Sequence, residues 1–336
     1  MKKPVIAITM GDAAGIGPEI SVKALLDSRF RVYEKCNPFI IGDAAVISRI
    51  IRLCNLDLKV NAVDDIKSCR YMPGSVDVLD FKNVGIDKLE FGVVNSNCGE
   101  AAVHYTKEAG KMALDNRIQA IVSAPLNKAS MRAAGYKYEG QTEILGELTG
   151  SKNYSMMLIL DRLRIMMYST HMSLRQAIEK VTYDGVLKKI LLSAEGLKFF
   201  NLENPLIAVS ALNPHAGEGG LFGTEEIDHI IPAINKAMEM GINVTGPVPA
   251  DVVFVKAKEG EYDLVIAMYH DQANMAIKLL GFGSVVTLLA GLPIIRTSTG
   301  HGTAFDIAGK NIADETNLFK AILLAAELGA KRMEKL

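Results

Sequence analysis

The chain lacks the marks of several protein classes. It has four cysteines, Cys36, Cys54, Cys69 and Cys98, and no two of them form a CxxC pair. That excludes a zinc ribbon and a thioredoxin-type redox site. Neither sign of charge dominates, since 37 Lys and Arg stand against 38 Asp and Glu, a formal net charge of −1. A protein that reads a phosphate backbone normally carries a clear basic excess, so nucleic acid is not expected as a partner. No apolar run approaches the ~20 residues that a membrane span needs, and no membrane association is expected. The apolar run at Val5–Thr9 is too short for a signal peptide and stops at Gly11-Asp12; it reads as a buried first strand. These absences together describe a cytoplasmic protein with reduced, mostly buried thiols. Internal repeats, low-complexity segments and Pro/Gly/Ser-rich linkers are also missing, so any domains are expected to be interleaved rather than tethered.

What is present is an ordinary globular composition. The 336 residues are 49% hydrophobic and 22% charged, enough for two domains with substantial cores. Short apolar runs at 5–9, 39–41, 120–123, 155–160, 165–169, 206–211 and 264–268 have strand length. Runs that are apolar on both faces suit strands covered by helices on both sides. Between them lie helical patterns. Residues 184–199 place Val186, Leu187, Ile190, Leu191, Ala194 and Leu197 near a 3.6 period. Residues 224–240 open with Thr-Glu-Glu, a capping hydroxyl and an acidic first turn, and Gly241 stands where a C-terminal cap belongs. Residues 315–328 read as a last amphipathic helix. This alternation predicts an α/β fold with a mostly parallel sheet.

Six loops carry candidate chemistry. Residues 11–19, GDAAGIGPE, follow a strand and open a helix, with glycines that permit close backbone approach. The loop is neither GxGxxG nor a Walker A motif, and a plain glycine-rich turn is the alternative. Residues 210–223 pack Asn213, His215 and Glu218 among glycines after a buried strand, where α/β proteins place ligands. His270 and His171 also stand directly after strands. Three imidazoles arriving from separate loops can hold a divalent metal and leave a position for substrate. They can equally be polar residues that cap strands; His104 and His229 fall within helical patterns and read as surface or packing residues. In residues 291–310, Arg296 is placed to grip an anion, and His301 and Asp306 follow it. Asp306 suits a ribose hydroxyl or a turn cap. Gly140-Gln141-Thr142-Glu143 opens a helix whose backbone N–H groups can face an anion.

Together these segments resemble the 4-hydroxythreonine-4-phosphate dehydrogenase (PdxA) family from end to end. The matching stretches are MGDAAGIGPEI at 10–20, SAPLNKA at 123–129, GQTE at 140–143, THMS at 170–173, NPHAGEGGLFGTEE at 213–226, PAD at 249–251, YHDQ at 269–272 and GLPIIRTSTGHGTAFDIAG at 291–309. The resemblance implies two α/β/α domains flanking a cleft, as in isocitrate and isopropylmalate dehydrogenases. We place the first domain at 1–132 with 300–336. The second, at 133–299, would hold the dimer interface and most metal and substrate residues. It implies NAD as cofactor and one divalent ion per site, whether zinc, magnesium, cobalt or manganese, on His171, His215 and His270. Substrate contacts fall on Gln141, Thr142, Lys278, Thr287 and Arg296. Cofactor contacts fall on His301, Gly302, Thr303 and Asp306. Lys278 is the first choice for the general base, and Asp251 and Asp271 for orienting imidazoles. A homodimer with active sites shared between subunits is implied, and a monomer is expected to be inactive.

Three positions depart from the family pattern. Gln141 replaces a substrate-contacting His, Thr287 replaces an Asn, and Ser298-Thr299-Gly300-His301-Gly302 replaces SVDHG. Gln keeps a hydrogen-bond donor but has no cationic form. GDAAG in place of GDPAG resembles the branch acting on 4-phospho-D-threonate and 4-phospho-D-erythronate. The implied reaction is oxidation with decarboxylation of such a phosphorylated hydroxy acid. The alternatives are 4-phosphohydroxy-L-threonine oxidation in vitamin B6 synthesis, a metal-dependent phosphohydrolase, and an inactive metabolite-binding homologue.

Overall fold

The computed structural model describes residues 2–26, 31–281 and 283–334. Its strands are β1 (Val5–Thr9), β2 (Asn37–Gly42), β3 (Lys59–Val63), β4 (Ser75–Asp80), β5 (Ala120–Ser123), β6 (Ser155–Leu160), β7 (Leu163–Met167), β8 (Ile207–Ser210), β9 (Val244–Val248), β10 (Leu264–Ala267), β11 (Val286–Ala290) and β12 (Arg296–Thr299). Its α-helices are α1 (Gly17–Leu26), α2 (Val32–Lys35), α3 (Ala44–Leu53), α4 (Ser96–Leu114), α5 (Lys128–Ala133), α6 (Gln141–Leu148), α7 (Leu174–Glu179), α8 (Tyr183–Leu197), α9 (Ile231–Glu239), α10 (Ala250–Glu259), α11 (His270–Gly281) and α12 (Thr316–Met333). None of the described helices is long and apolar enough to cross a membrane.

The chain divides into two compact units, one of residues 1–152 with 292–336, the other of residues 153–291. Both are α/β. In the first, the strands run β3-β4-β2-β1-β5-β12, and every described pairing is parallel. Ile6, Ala7 and Ile8 of β1 and Ile121 and Val122 of β5 are fully buried, as expected of central strands covered on both faces. In the second, the order is β11-β6-β7-β10-β8-β9. Here β7, β10, β8 and β9 are parallel, but β6 runs antiparallel to both β7 and β11.

The unit boundaries differ from the expected 132/133 and 299/300. Ile144 of α6 packs with Val103 of α4 and Met131 of α5, which ties residues 141–148 to the first unit. Similarly, β12 pairs with β5, Arg296 opposite Ile121. Gln141, Thr142 and Arg296 therefore belong to the first unit, not to the second as expected. The helix read at 224–240 is a π-turn at Glu226–Ile230 that continues into α9. The Thr224 hydroxyl donates to the Asp228 carboxylate and does not cap the helix backbone. Gly241 does close the helix, at φ 81°. Cys36, Cys54 and Cys98 are buried and Cys69 partly so, all as free thiols.

Candidate active site

The site residues of the first unit lie in the loop after β1, at the end of β5 and just beyond it, and on β12 and the loop that follows it. Arg296, the first residue of β12, is only 5% exposed. Its Nε donates to Ser123 Oγ at the end of β5, at 3.0 Å. Its Nη2 donates to Gln141 Oε1, at 3.3 Å. Gln141 is the first residue of α6, and its Nε2 donates to the Ala124 carbonyl at 2.9 Å. Among the described residues, no carboxylate pairs with Arg296. Desolvation alone pushes its pKa down to about 10, which still leaves the guanidinium charged at neutral pH. Thr142, the next residue of α6, is partly exposed.

The loop after β12 packs against the glycine-rich loop after β1. The Ile16 amide donates to the Thr303 carbonyl at 3.0 Å, and Asn127 Nδ2 donates to Thr303 Oγ1 at 3.4 Å. Gly15 has to be glycine, because a Cβ there would lie 2.9 Å from Thr303 Cβ. Thr303 is thus a buried packing residue. His301, Gly302 and Asp306 are exposed on the same loop. The His301 ring Nδ1 lies 3.0 Å from the Gly302 carbonyl, and among the described residues no hydrogen-bond partner faces the Asp306 side chain. Asp12, in the first loop, is fully buried. Its Oδ1 accepts from the Ala14 amide, while its Oδ2 and the hydroxyl of Thr9 have no partner. Burial raises the Asp12 pKa, against smaller lowering contributions from Ser130 and the Ala14 amide.

In the second unit, two of the three candidate metal ligands meet. His171 and His270 have ring centroids 5.9 Å apart. The chain builds this pair from adjacent parallel strands. β7 ends at Met167, and Ser169 Oγ then donates to the Met268 carbonyl, pinning the His171 loop to the end of β10. Ser173 closes the loop with a capping box on α7. His270 opens α11 directly after β10. Its Nδ1 lies 3.0 Å from Asp271 Oδ1, an oxygen that can only accept, so Nδ1 carries the proton and the Nε2 lone pair is left free to accept a hydrogen bond or bind a metal ion. Gln272 braces the region, taking the Met268 amide at 2.8 Å and donating to the Ala211 carbonyl at 3.0 Å.

His215 does not join them. Among the described residues, no group of three His, Cys, Asp or Glu side chains converges as a metal cage. His215 is exposed, 3.3 Å from Glu218 and edge-on to Phe222. It opens a left-handed turn in which His215, Ala216, Gly217, Glu218 and Gly219 have φ of 51°, 55°, 81°, 46° and 66°. Each non-glycine residue in that conformation costs about 1 kcal/mol or more. Buried Glu226 holds the turn's entry by accepting the amides of Leu212 and Asn213 and the side chain of Asn213. Gly223 closes it, where a Cβ would stand 2.6 Å from Asn213 Nδ2.

The other expected residues are dispersed. Asp251 is exposed in the first turn of α10 and bonds no imidazole; Asp271 alone does that. Lys278 is exposed on α11, two turns or about 12 Å beyond His270, and makes no ion pair. Thr287 is buried on β11. His104 lies on α4, its Nδ1 3.3 Å from Asn83 Nδ2, and His229 lies in the π-turn. Sequence reasoning missed Ser123, Glu226 and Gln272. Each stood inside a quoted motif, but a buried polar residue that serves a neighbour's backbone has no sequence signature of its own.

The chain matches the family model described as "Pyridoxal phosphate biosynthetic protein PdxA" over residues 34–325. It is 43% identical over 330 residues to a D-threonate 4-phosphate dehydrogenase of Cupriavidus necator, covering 98% of each chain. Among solved structures it resembles a 4-hydroxythreonine-4-phosphate dehydrogenase from Burkholderia phymatum, with TM-score 0.88 and 43% identity over 98% of this chain and 99% of that one. A second, from Klebsiella pneumoniae, gives TM-score 0.91 and 38% identity over 97% and 99%. The protein defined by this fold and these motifs belongs to the PdxA family.

Proposed function

We propose that this protein is an NAD-dependent dehydrogenase of a four-carbon hydroxy acid phosphorylated at its terminal carbon. Its substrate is 4-phospho-D-threonate or 4-phospho-D-erythronate. The observation that carries the reading is the buried, charged Arg296 with no carboxylate against it. A desolvated cation of this kind is strongly disfavoured unless an anion completes it. The relatives named for phosphorylated threonate and hydroxythreonine substrates supply such an anion.

In this reading the substrate's C3 carbon loses a hydride to NAD and its hydroxyl loses a proton. The resulting β-keto acid loses carbon dioxide, the bonding pair passes into a C2–C3 enolate, and a proton taken up at C2 leaves a three-carbon keto phosphate. A divalent metal held by His171, His215 and His270 would supply Lewis-acid charge for both the oxidation and the decarboxylation. Two observations support a resident metal here: the adjacent His171 and His270 rings, and the Asp271 carboxylate that fixes one tautomer. His215 is the third ligand. Thr142, Thr287 and Lys278 supply further contacts to the anionic substrate, with Lys278 as the proton-transfer group and Asp251 in support. His301, Gly302, Thr303 and Asp306 form the cofactor loop, with Asp306 on a ribose hydroxyl.

The active species is a homodimer with shared sites. His215 stands apart from its two partners within one chain, and Lys278 lies about two turns along α11 from His270. A groove of about 740 Å³ between α10 and α11, lined by Asp251, Phe254, Val255, Asp271, Met275 and Leu279 among others, leaves apolar surface beside them that a second copy would cover.

The test compares kcat/KM, read as NADH absorbance, for 4-phospho-D-threonate, 4-phospho-D-erythronate and 4-phosphohydroxy-L-threonine. Preference for either hydroxy acid supports the reading. Preference for the amino acid places the protein in vitamin B6 synthesis, and phosphate release without NADH makes it a hydrolase.

A further inference from the structure

Gln141 engages both its polar atoms within the protein, through one N–H and one oxygen lone pair. Its Nε2 donates to the Ala124 carbonyl and its Oε1 accepts from Arg296. The side chain is buried, so neither group is turned to solvent. Arg296 has five N–H donors and uses two of them, one on Ser123 and one on Gln141. Both residues that hold the guanidinium are neutral. A carboxylate in either place would hold it as firmly, but would also cancel the charge offered to an oxyanion.

We propose that Gln141 is a positioning residue: it fixes the Arg296 guanidinium with an uncharged acceptor, and does not itself contact the substrate. This rests on the reading that Arg296 receives an oxyanion of the substrate. The chemistry selected is a phosphate or carboxylate group docked on the guanidinium N–H groups that Gln141 and Ser123 leave free. Gln serves this role because its amide has an acceptor for Arg296 and a donor for Ala124, 17 residues apart from it in sequence, and gains no charge across the working pH range.

The experiment is a double-mutant cycle read as dissociation constants for 4-phospho-D-threonate by calorimetry, alongside KM and kcat. Gln141→Met keeps the length and removes the hydrogen bonds. It is expected to weaken binding about 5- to 10-fold in the wild-type background and less than about 2-fold in Arg296→Ala. The KM for NAD and kcat stay within about 2-fold. Gln141→Glu weakens binding by about 10²-fold or more at pH 8, and recovers as the pH falls and the new carboxyl protonates, a profile that wild type lacks. Unphosphorylated D-threonate as a second probe tells the two oxyanions apart: the Gln141→Met penalty vanishes with it if Arg296 holds the phosphate, and persists if it holds the carboxylate. An equal Gln141→Met penalty in both backgrounds would mean direct substrate contact and would overturn the proposal. So would unchanged binding in both Gln141 variants. If Gln141→Met fails to fold, Gln141→Asn, which keeps the amide but shortens its reach to Arg296, takes its place in the cycle. A wild type that binds 4-phospho-D-threonate without oxidising it refutes the dehydrogenase reading and leaves the cycle interpretable.

Discussion

The two units prepare their share of the chemistry in opposite ways. In the first, Arg296 is buried and braced by Ser123 and Gln141, ready for the anion that the proposed function assigns to it. In the second, the imidazoles are partly or fully exposed, two meet, and the third sits on a strained left-handed turn. An oxyanion receptor can be finished inside one chain, because a neutral scaffold suffices to hold a cation. A three-ligand metal site draws on loops after different strands, and is complete only when all of them converge. Binding without turnover and turnover itself should therefore respond separately to mutation.

The most disruptive test removes a ligand from the second unit. His270→Ala is expected to lower turnover by about 10³-fold or more with metal resupplied, while 4-phospho-D-threonate binding through Arg296 persists. Equal loss of binding and turnover would break the division between the units. Asp271→Asn is milder, since it only frees the His270 ring. Metal affinity, measured by competition with a chelator, should fall about 10- to 100-fold. Gly15→Ala acts in the first unit by forcing a Cβ against Thr303. Denaturant unfolding should show a loss of about 1–3 kcal/mol, with the metal affinity of the second unit unchanged.

The smallest effect concerns Asp12. Its folded-state pKa lies above the unfolded value, so its ionisation opposes folding. That cost is fully present above the raised pKa and fades as the pH falls toward the ordinary carboxylate range. Asp12→Asn is expected to raise the melting temperature at neutral pH and to lose the advantage in acid. A destabilising effect at neutral pH would show that the ionised carboxylate is needed.

Much of this was legible in the sequence for simple reasons. Strands such as β1 and β10 are uniformly apolar because both faces are covered, and histidines that directly follow such strands stand out. β3 was not legible: it is an edge strand, Lys59-Val60-Asn61-Ala62-Val63, exposed or half-buried at all but its last residue and without an apolar run. The antiparallel course of β6 was hidden because a two-residue connection to β7 leaves no compositional trace. The unit boundary was misplaced because nothing local announces that Ile144 packs on Val103. Gln141 was visible as a departure, but its role depends on Arg296, 155 residues further along the chain.

The discontinuous first unit has a consequence for biosynthesis. Until residues 292–336 leave the ribosome, β5 is an open edge and Gly15 has no Thr303 to close upon. The inserted unit of residues 153–291 is by then fully synthesised and free to fold. The nascent chain thus completes the unit of residues 153–291 first, and Arg296 reaches Ser123 and Gln141 only afterwards.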